Sequence, residues 1–242
     1  MMLIVIILRI VCLLNTVFLF GGVFAESTWQ IPERKIEVLL DGFLDEWVDV
    51  PFRILEPGGS GVKSGGKFGE DDLKVKIMAL WDKEYLYLAL EWHDDVWDIQ
   101  KVPRRQAVWV DQDGTRRDRM HFFDNFKFHI RRSDYDYTVW ISPRAQDEGP
   151  YYWSRLLQGY GGMERATSAP MVTARNHGDR VTLEVELVWK QLRIKPKKNQ
   201  EIPLRLVVAD ADLPGKQLET KLENIKWVGW IGQVQVVKGD GD

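Results

Sequence analysis

Apolar and polar residues alternate most regularly between Val75 and Glu91, in the stretch VKIMALWDKEYLYLALE. A period of two is typical of β-strands that bury one face. The polar residues at 82–84 interrupt two such runs and predict a tight turn between them. We therefore predict a half-buried antiparallel hairpin over 75–91, with Trp81 packed in the core.

Shorter segments repeat this alternation along the rest of the chain. Residues 36–54 predict a strand, a turn and a short helical or irregular segment in which Trp47 packs inward, and Trp189 is also assigned to the core. Further strands are predicted at 122–131, 135–142, 171–174, 181–188, 204–209 and 232–237. About nine or ten strands without a long amphipathic helix predict an all-β fold, an antiparallel β-sandwich of jelly-roll or immunoglobulin-like type.

Three segments lack the alternation and predict long loops. Residues 57–72 are rich in glycine, 96–121 are highly charged, and 143–170 are rich in Gly, Tyr and Trp. The glycine-rich segment has no Gly-Lys-Ser or Gly-Lys-Thr ending, which argues against a phosphate-binding loop. Long loops on a β scaffold often carry function, so the other two segments are the first places to look for a site.

The first 25 residues are almost wholly apolar and end in a small residue, Ala25, which predicts a signal peptide over 1–25. The remaining 26–242 then form one exported domain, secreted or periplasmic. Because Arg9 lies inside the apolar run, an uncleaved leader that anchors the protein to the membrane is the alternative.

The single cysteine, Cys12, lies in this leader. The mature chain therefore has no disulfide, thiolate zinc site, c-type haem, iron–sulfur cluster or cysteine nucleophile.

The charge balance is mild. The formal net charge is −3 at pH 7, and it becomes −4 when the leader and its single charge at Arg9 are removed. Nucleic-acid binding is therefore not expected.

Several segments, taken in order, resemble the family-9 carbohydrate-binding modules and their DOMON-like relatives. The segments are LDGFLDEW (40–47), ALWDKEYLYLALEWHDD (79–95), FFDNFKFHI (122–130), VTLEVELVWKQL (181–192), VVADAD (207–212) and GQVQVV (232–237). The resemblance implies a β-sandwich. It also implies a sugar ring clamped between two tryptophans, polar side chains on the hydroxyls, and structural calcium. The segment 96–121 departs from the pattern because it is longer and more basic, and 224–232 because it is short.

The same superfamily has a second branch that implies a different function. Its members are haem-b-binding gamma subunits of ethylbenzene-dehydrogenase-like enzymes, in which a methionine and a lysine ligate the iron. The alternative for this chain is therefore a haem-b-binding electron-transfer accessory subunit with a partner enzyme. Fold alone cannot decide between the two branches. Candidate haem ligands here are His93, Met120 and His121.

Aromatic rings in loops can stack on the apolar face of a pyranose, while carboxylates and amides bond its hydroxyls. We expect saccharide binding by residues of the 96–125 and 145–162 loops and of the 224–230 segment. The candidates are Trp97, Trp109, Asp124, Asn125, Tyr151, Trp153, Trp227 and Trp230. The alternative for any one tryptophan is that it covers an end of the sandwich.

Acidic residues at predicted strand ends offer the hard oxygen ligands that calcium prefers. The candidates are Asp94, Asp95, Asp210 and Asp212, with turn capping and solvation as the alternative. No carboxylate pair has an apolar setting that would raise a pKa for glycoside hydrolysis. Ser142 and Ser154 lack the glycines of a nucleophile elbow. We therefore expect a binding protein and no catalytic activity.

Overall fold

The computed structural model describes residues 28–69, 72–95, 97, 108–110, 116–118, 124–131, 135–143, 151–158, 162–165, 170–211 and 226–237. The predicted signal peptide at 1–25 lies outside these ranges. Within them, no helix has the length and apolar character that crossing a membrane requires.

The described residues form fifteen strands and one short 3₁₀ helix at Asp45–Trp47. The strands are β1 (Thr28–Pro32), β2 (Phe52–Leu55), β3 (Val62–Gly65), β4 (Leu73–Trp81), β5 (Tyr85–Asp94), β6 (Val108–Val110), β7 (Arg116–Asp118), β8 (Asn125–Arg131), β9 (Tyr135–Ser142), β10 (Tyr151–Gln158), β11 (Gly162–Arg165), β12 (Met171–Asn176), β13 (Val181–Val188), β14 (Glu201–Asp210) and β15 (Lys226–Val237).

Two large sheets and one small hairpin contain all these strands. The eight-stranded sheet has the order β1-β15-β14-β8-β9-β10-β11, and β3 also pairs with β15. The five-stranded sheet has the order β12-β13-β5-β4-β2, and β6 pairs with β7. Pairing is antiparallel except between β1 and β15. The predicted all-β sandwich is confirmed.

The hairpin predicted over 75–91 is confirmed as β4 and β5, which pair from Leu73↔Asp94 to Trp81↔Leu86. Its turn is held by Asp82, whose Oδ1 accepts the N–H groups of Glu84 at 2.8 Å and Tyr85 at 2.7 Å. An aspartate that bonds its own backbone in this way stabilises a tight turn.

The hairpin is buried on both faces, so the prediction that it is half-buried is wrong. Its inner face joins the main core between the two sheets, where Trp189 also packs. On its outer face Met78, Leu80, Tyr87 and Ala89 pack with Trp47, which is fully buried. The segment between β1 and β2 therefore covers a sheet face that alternation alone assigned to solvent.

The predicted loops contain strands that the sequence analysis missed. β3 lies within 57–72, β10 and β11 lie within 143–170, and β15 begins at Lys226 rather than at 232. Gly65 shows why a glycine-rich segment was wrongly predicted to be only a loop. A Cβ built on Gly65 would lie 2.3 Å from Nε1 of Trp227, its partner across β3 and β15. Glycine is required there by close packing on a neighbouring strand rather than by a flexible loop.

Candidate functional site at one end of the sandwich

Strand ends bring four carboxylates and one ammonium group to one end of the sandwich. Asp72 directly precedes β4, which starts where β5 ends at Asp94. Asp124 directly precedes β8, and Asp210 ends β14 opposite Lys226, the first residue of β15. In antiparallel pairs one strand starts where its neighbour ends, so pairing brings Asp72 beside Asp94 in one sheet and Asp124 and Lys226 beside Asp210 in the other. The two sheets meet at this end, where Lys226 contacts Asp72. We call Asp72, Asp94, Asp124, Asp210 and Lys226 the acidic end.

Three carboxylates of the acidic end form a compact group. One oxygen from each of Asp94, Asp124 and Asp210 lies within 4.8 Å of the others. Asp124 and Asp210 have no exposed surface, and Asp94 is 9% exposed. Oδ1 of Asp124 accepts the backbone N–H of Ala211 at 2.9 Å. Buried negative charges this close to one another need nearby cations or donors, because desolvation is costly.

Lys226 supplies part of that compensation. Its Nζ lies 2.6 and 2.7 Å from the two carboxylate oxygens of Asp72, and 3.4 Å from Oδ2 of Asp210. Burial raises the pKa of Asp72. The Lys226 ammonium and the N–H of Gly69 outweigh this effect, so the pKa lies below its usual value. Asp72 is therefore held as a carboxylate at neutral pH.

Two partly exposed tryptophans border this end. The ring of Trp97 packs on the main core, with its centroid 5.4 Å from that of Trp92. Trp227 follows Lys226 on β15 and packs over Gly65. Asn125, the first residue of β8, is 3% exposed and pairs with Ala209 next to Asp210. Asp124 thus belongs to the acidic end. The predicted ligand-binding residues Asn125 and Trp227 directly follow Asp124 and Lys226, and Trp97 lies three positions after Asp94.

Trp230 was predicted to bind ligand but occupies the main core. It has no exposed surface, and its ring meets that of Trp29 edge-on at 6.1 Å. The guanidinium of Arg53 lies 4.5 Å from its ring centroid. Since β15 is longer than predicted, Trp230 is an inward-facing strand residue, and a ligand has no access to it in this structure.

The other predicted aromatic residues lie on strands rather than in loops. Trp109 is in β6, opposite Arg117 of β7. Tyr151 and Trp153 are in β10, at positions paired with Ser142 and Trp140 of β9.

Some of the predicted calcium and haem ligands lie at the acidic end, and others do not. Asp94 and Asp210 belong to the three-carboxylate group, whereas Asp95 is exposed and its backbone N–H reaches the Asp72 carbonyl at 3.3 Å. Nε2 of His93 lies 3.1 Å from Oε1 of Glu91. Asp212, Met120 and His121 lie outside the described residues.

The donor set at the acidic end fits a calcium ion. Carboxylate oxygens are the hard ligands that calcium takes, and their mutual distances allow them to share one ion. Lys226 is the feature that opposes binding, because its ammonium already lies beside Asp210. A dication and Lys226 would compete for the same negative charge.

Sequence reasoning missed Asp72 and Lys226, and it assigned Asp124 to a sugar rather than to the carboxylate group. The sequence predicts metal ligands at the ends of strands, whereas these three residues lie at strand starts. The sequence did contain a signal for these three residues. Each is a charged residue directly before a strand or at its first position. This signal becomes informative once antiparallel pairing places that start beside a neighbour's acidic end.

No protein-family profile matches the chain, and no curated protein does. Solved structures do share its fold. A family-9 carbohydrate-binding module from Caldicellulosiruptor kristjanssonii in complex with cellotriose aligns with a TM-score of 0.55 at 13% identity, over 89% of this chain and 96% of that one. The same organism's module with glucose gives 0.55 at 12% identity, over 89% and 99%. A candidate carbohydrate-binding protein from Bacteroides uniformis gives 0.54 at 6% identity, over 88% and 100%. At these identities the likeness establishes the sandwich fold.

Proposed function

We propose that the protein binds a saccharide at the acidic end and has no catalytic activity of its own. The observation that carries the proposal is the group of buried carboxylates at the acidic end, with Trp227 directly after Lys226 and Trp97 three positions after Asp94 in the sequence. Its support from outside the chain is the similarity in fold to modules solved with cellotriose and with glucose. We also propose that the protein is exported, as residues 1–25 predict, and that it acts with a partner enzyme subunit.

The chemistry of the site suits a sugar. A tryptophan face can cover the C–H side of a pyranose ring, which is apolar. Carboxylates accept hydrogen bonds from sugar hydroxyl groups, and a side-chain amide both accepts and donates them. Burial makes these bonds selective. Trp97 and Trp227, each within three positions of a residue of the acidic end, are the aromatic surfaces that we assign to the ligand.

A catalytic role has little support from the described carboxyl groups. Glycoside hydrolysis requires a carboxylic acid that stays protonated near neutral pH. The pKa of Asp72 is lowered, so it cannot serve as that acid. Glu184 has a pKa raised to about 7, but it has no exposed surface and bonds Gly42 and Trp47 on the outer face of the five-stranded sheet.

We expect Trp227→Ala to weaken saccharide binding about tenfold, because losing the apolar area that the indole buries against a sugar ring costs about 1.4 kcal/mol. Trp97→Ala should also weaken it. Calorimetry of the purified protein against a panel of oligosaccharides measures the affinities. Phe52→Ala is the matched control, since Phe52 is an aromatic strand residue that is 55% exposed on the five-stranded sheet.

Two results would contradict this proposal. One is the absence of heat with every saccharide tested while the protein remains folded by circular dichroism. The other is equal loss of affinity in Trp227→Ala and Phe52→Ala. An absorption spectrum after haem supplementation accompanies the titration, because a Soret band would favour the haem-b alternative.

We further propose that Asp94, Asp124 and Asp210 hold a structural calcium ion. A ligand that binds only the folded state stabilises it by about 2.7 kcal/mol at a hundred times its Kd. Calcium at that concentration should therefore raise the Tm by several degrees, and Asp124→Asn should remove the rise. Lys226→Met should increase the affinity for calcium, because it removes the competing ammonium. Identical melting curves with calcium and with a chelator would contradict the proposal.

A further inference from the structure

The outer face of the eight-stranded sheet carries two cations, Lys127 and Arg205, and a histidine whose pKa burial lowers below its usual value. Phe126, Phe128 and Ile130 of β8 point into the core with no exposed surface, so Lys127 and His129 between them face outward. Arg205 of β14 lies directly opposite His129, and Trp140 of β9 lies opposite Lys127. We call Lys127, His129, Arg205 and Trp140 the cationic face.

Its positive charge is only partly balanced. The neighbouring carboxylate, Asp136, accepts from Thr138 and lies 2.5 Å from Nε2 of His129. Lys127 lies over the Trp140 ring, with Nζ 4.6 Å from the centroid. In the described part of the chain, no carboxylate lies within ion-pair distance of Lys127 or Arg205, and the buried Nε of Arg205 has no hydrogen-bond partner.

Burial makes this imbalance costly. Burial lowers the pKa of Lys127, and the nearby charge of Arg205 lowers it further, against the smaller opposing effect of Asp136. A cation that burial and a second cation both destabilise is stabilised by a bound anion. The geometry and the charge of this face therefore favour binding of a negatively charged ligand.

A cavity beside Arg205 provides space for such a ligand. Its volume is about 240 Å³, and its lining includes His129, Pro203, Arg205, Ile231 and Gln233. Ile231 is 46% exposed and gives the cavity an apolar flank. Gln233 adds an amide. One charged group and part of a sugar ring match this combination of guanidinium, amide and apolar surface.

We propose that the cationic face binds the carboxylate of an acidic saccharide in this cavity, with Arg205 as the principal contact and Lys127, which lies outside the cavity lining, contributing its positive charge from a longer distance. A planar guanidinium matches a carboxylate through two parallel hydrogen bonds. The acidic end would repel the same group, so the two surfaces select different parts of a ligand. That the carboxylate is carried by a saccharide rests on the function proposed above, whereas the anion preference rests on the cationic face alone.

Oligogalacturonate and its methyl ester provide the test, because esterification removes the negative charge of the carboxylate and leaves the sugar rings unchanged. Calorimetry with the full-length chain should show at least tenfold tighter binding of the free acid at low salt. Arg205→Gln should lower the affinity for the acid about tenfold or more and leave that for the ester unchanged. Lys127→Gln should have a smaller effect of the same kind. Lys74→Gln, an exposed strand lysine on the other sheet, should change neither.

The possible outcomes separate this inference from the proposed function. Equal affinities for acid and ester, or no change in Arg205→Gln, overturn the cationic-face proposal even if neutral saccharides bind elsewhere. Tight binding of the acid that Arg205→Gln abolishes supports it, even if no neutral saccharide binds. Competition by acetate and by monomeric galacturonate is the last measurement, and it tests whether the site recognises the sugar as well as the carboxylate. If acetate competes as well as the oligomer, the site recognises a free carboxylate and the saccharide half of the proposal is wrong.

Discussion

Replacing Trp230 with alanine should lower the free energy of unfolding by about 3–5 kcal/mol, the range for removing a large buried aromatic side chain. Trp230 has no exposed surface and packs edge-on against Trp29, which is itself 5% exposed. Its removal leaves a cavity between the sheets and takes away the ring that lies beneath Arg53. Urea denaturation measured by circular dichroism gives the size of the loss.

Trp227→Ala is the matched control, since Trp227 lies three positions earlier on the same strand and is only partly buried. It should cost clearly less stability than Trp230→Ala, yet it should weaken saccharide binding. Trp230→Phe, which retains an aromatic ring in the core, should fold and bind normally. If Trp230→Phe were stable and failed to bind saccharide, Trp230 would be a ligand contact and the assignment to the core alone would be wrong.

Alternation predicted the strands that pack in the main core. The β4–β5 and β12–β13 hairpins were found because inward positions such as Ile77 and Leu183 are apolar and the intervening turns are polar. β10 and β11 were missed because their sequences, YYWSRLLQ and GMER, have no period of two. β10 nevertheless pairs with β9 at eight successive positions. Its strand state depends on a neighbour that a local pattern cannot show.

The candidate site was predictable only in part, for the same physical reason. Asp94 and Asp210 were recognisable as acidic residues that end apolar strands. Their meeting with Asp124 requires β5 and β14 to finish at the same end of two different sheets. Lys226 joins them only because β15 pairs with β14 as far as Asp210. Such contacts are set by the strand order of the whole sandwich and not by local sequence.

Glu184 shows how a buried carboxyl group can hold the covering segment to the five-stranded sheet. It lies opposite Ala89 on the outer face of that sheet, beneath the segment that contains Gly42 and Trp47. Its Oε2 accepts the backbone N–H of Gly42 at 2.7 Å, and its Oε1 accepts the Trp47 indole N–H at 3.0 Å. Burial raises its pKa from 4.5 to about 7. The two hydrogen bonds oppose the rise, and the negative charges of Glu46 and Asp41 add to it.

The raised pKa predicts that stability falls as the pH rises. Below pH 4.5 Glu184 is protonated in both the folded and the unfolded chain, so its contribution is fully present. Above 4.5 the unfolded chain loses its proton first, and the contribution declines until the pH passes the folded value of about 7. The difference between the two pKa values corresponds to a loss of about 3 kcal/mol over this range.

Glu184→Gln should remove this pH dependence because the amide does not titrate. The variant is also expected to be less stable at pH 4.5, where its NH₂ group must face one of the two N–H donors. Urea unfolding from pH 4.5 to 8 should therefore give curves that converge by about 3 kcal/mol as the pH rises. Glu201→Gln, at the exposed start of β14, controls for the loss of a negative charge. Parallel plots of unfolding free energy against pH for wild type and Glu184→Gln would contradict the raised pKa. They would also contradict the conclusion that Glu184 is protonated in the folded chain between pH 4.5 and about 7.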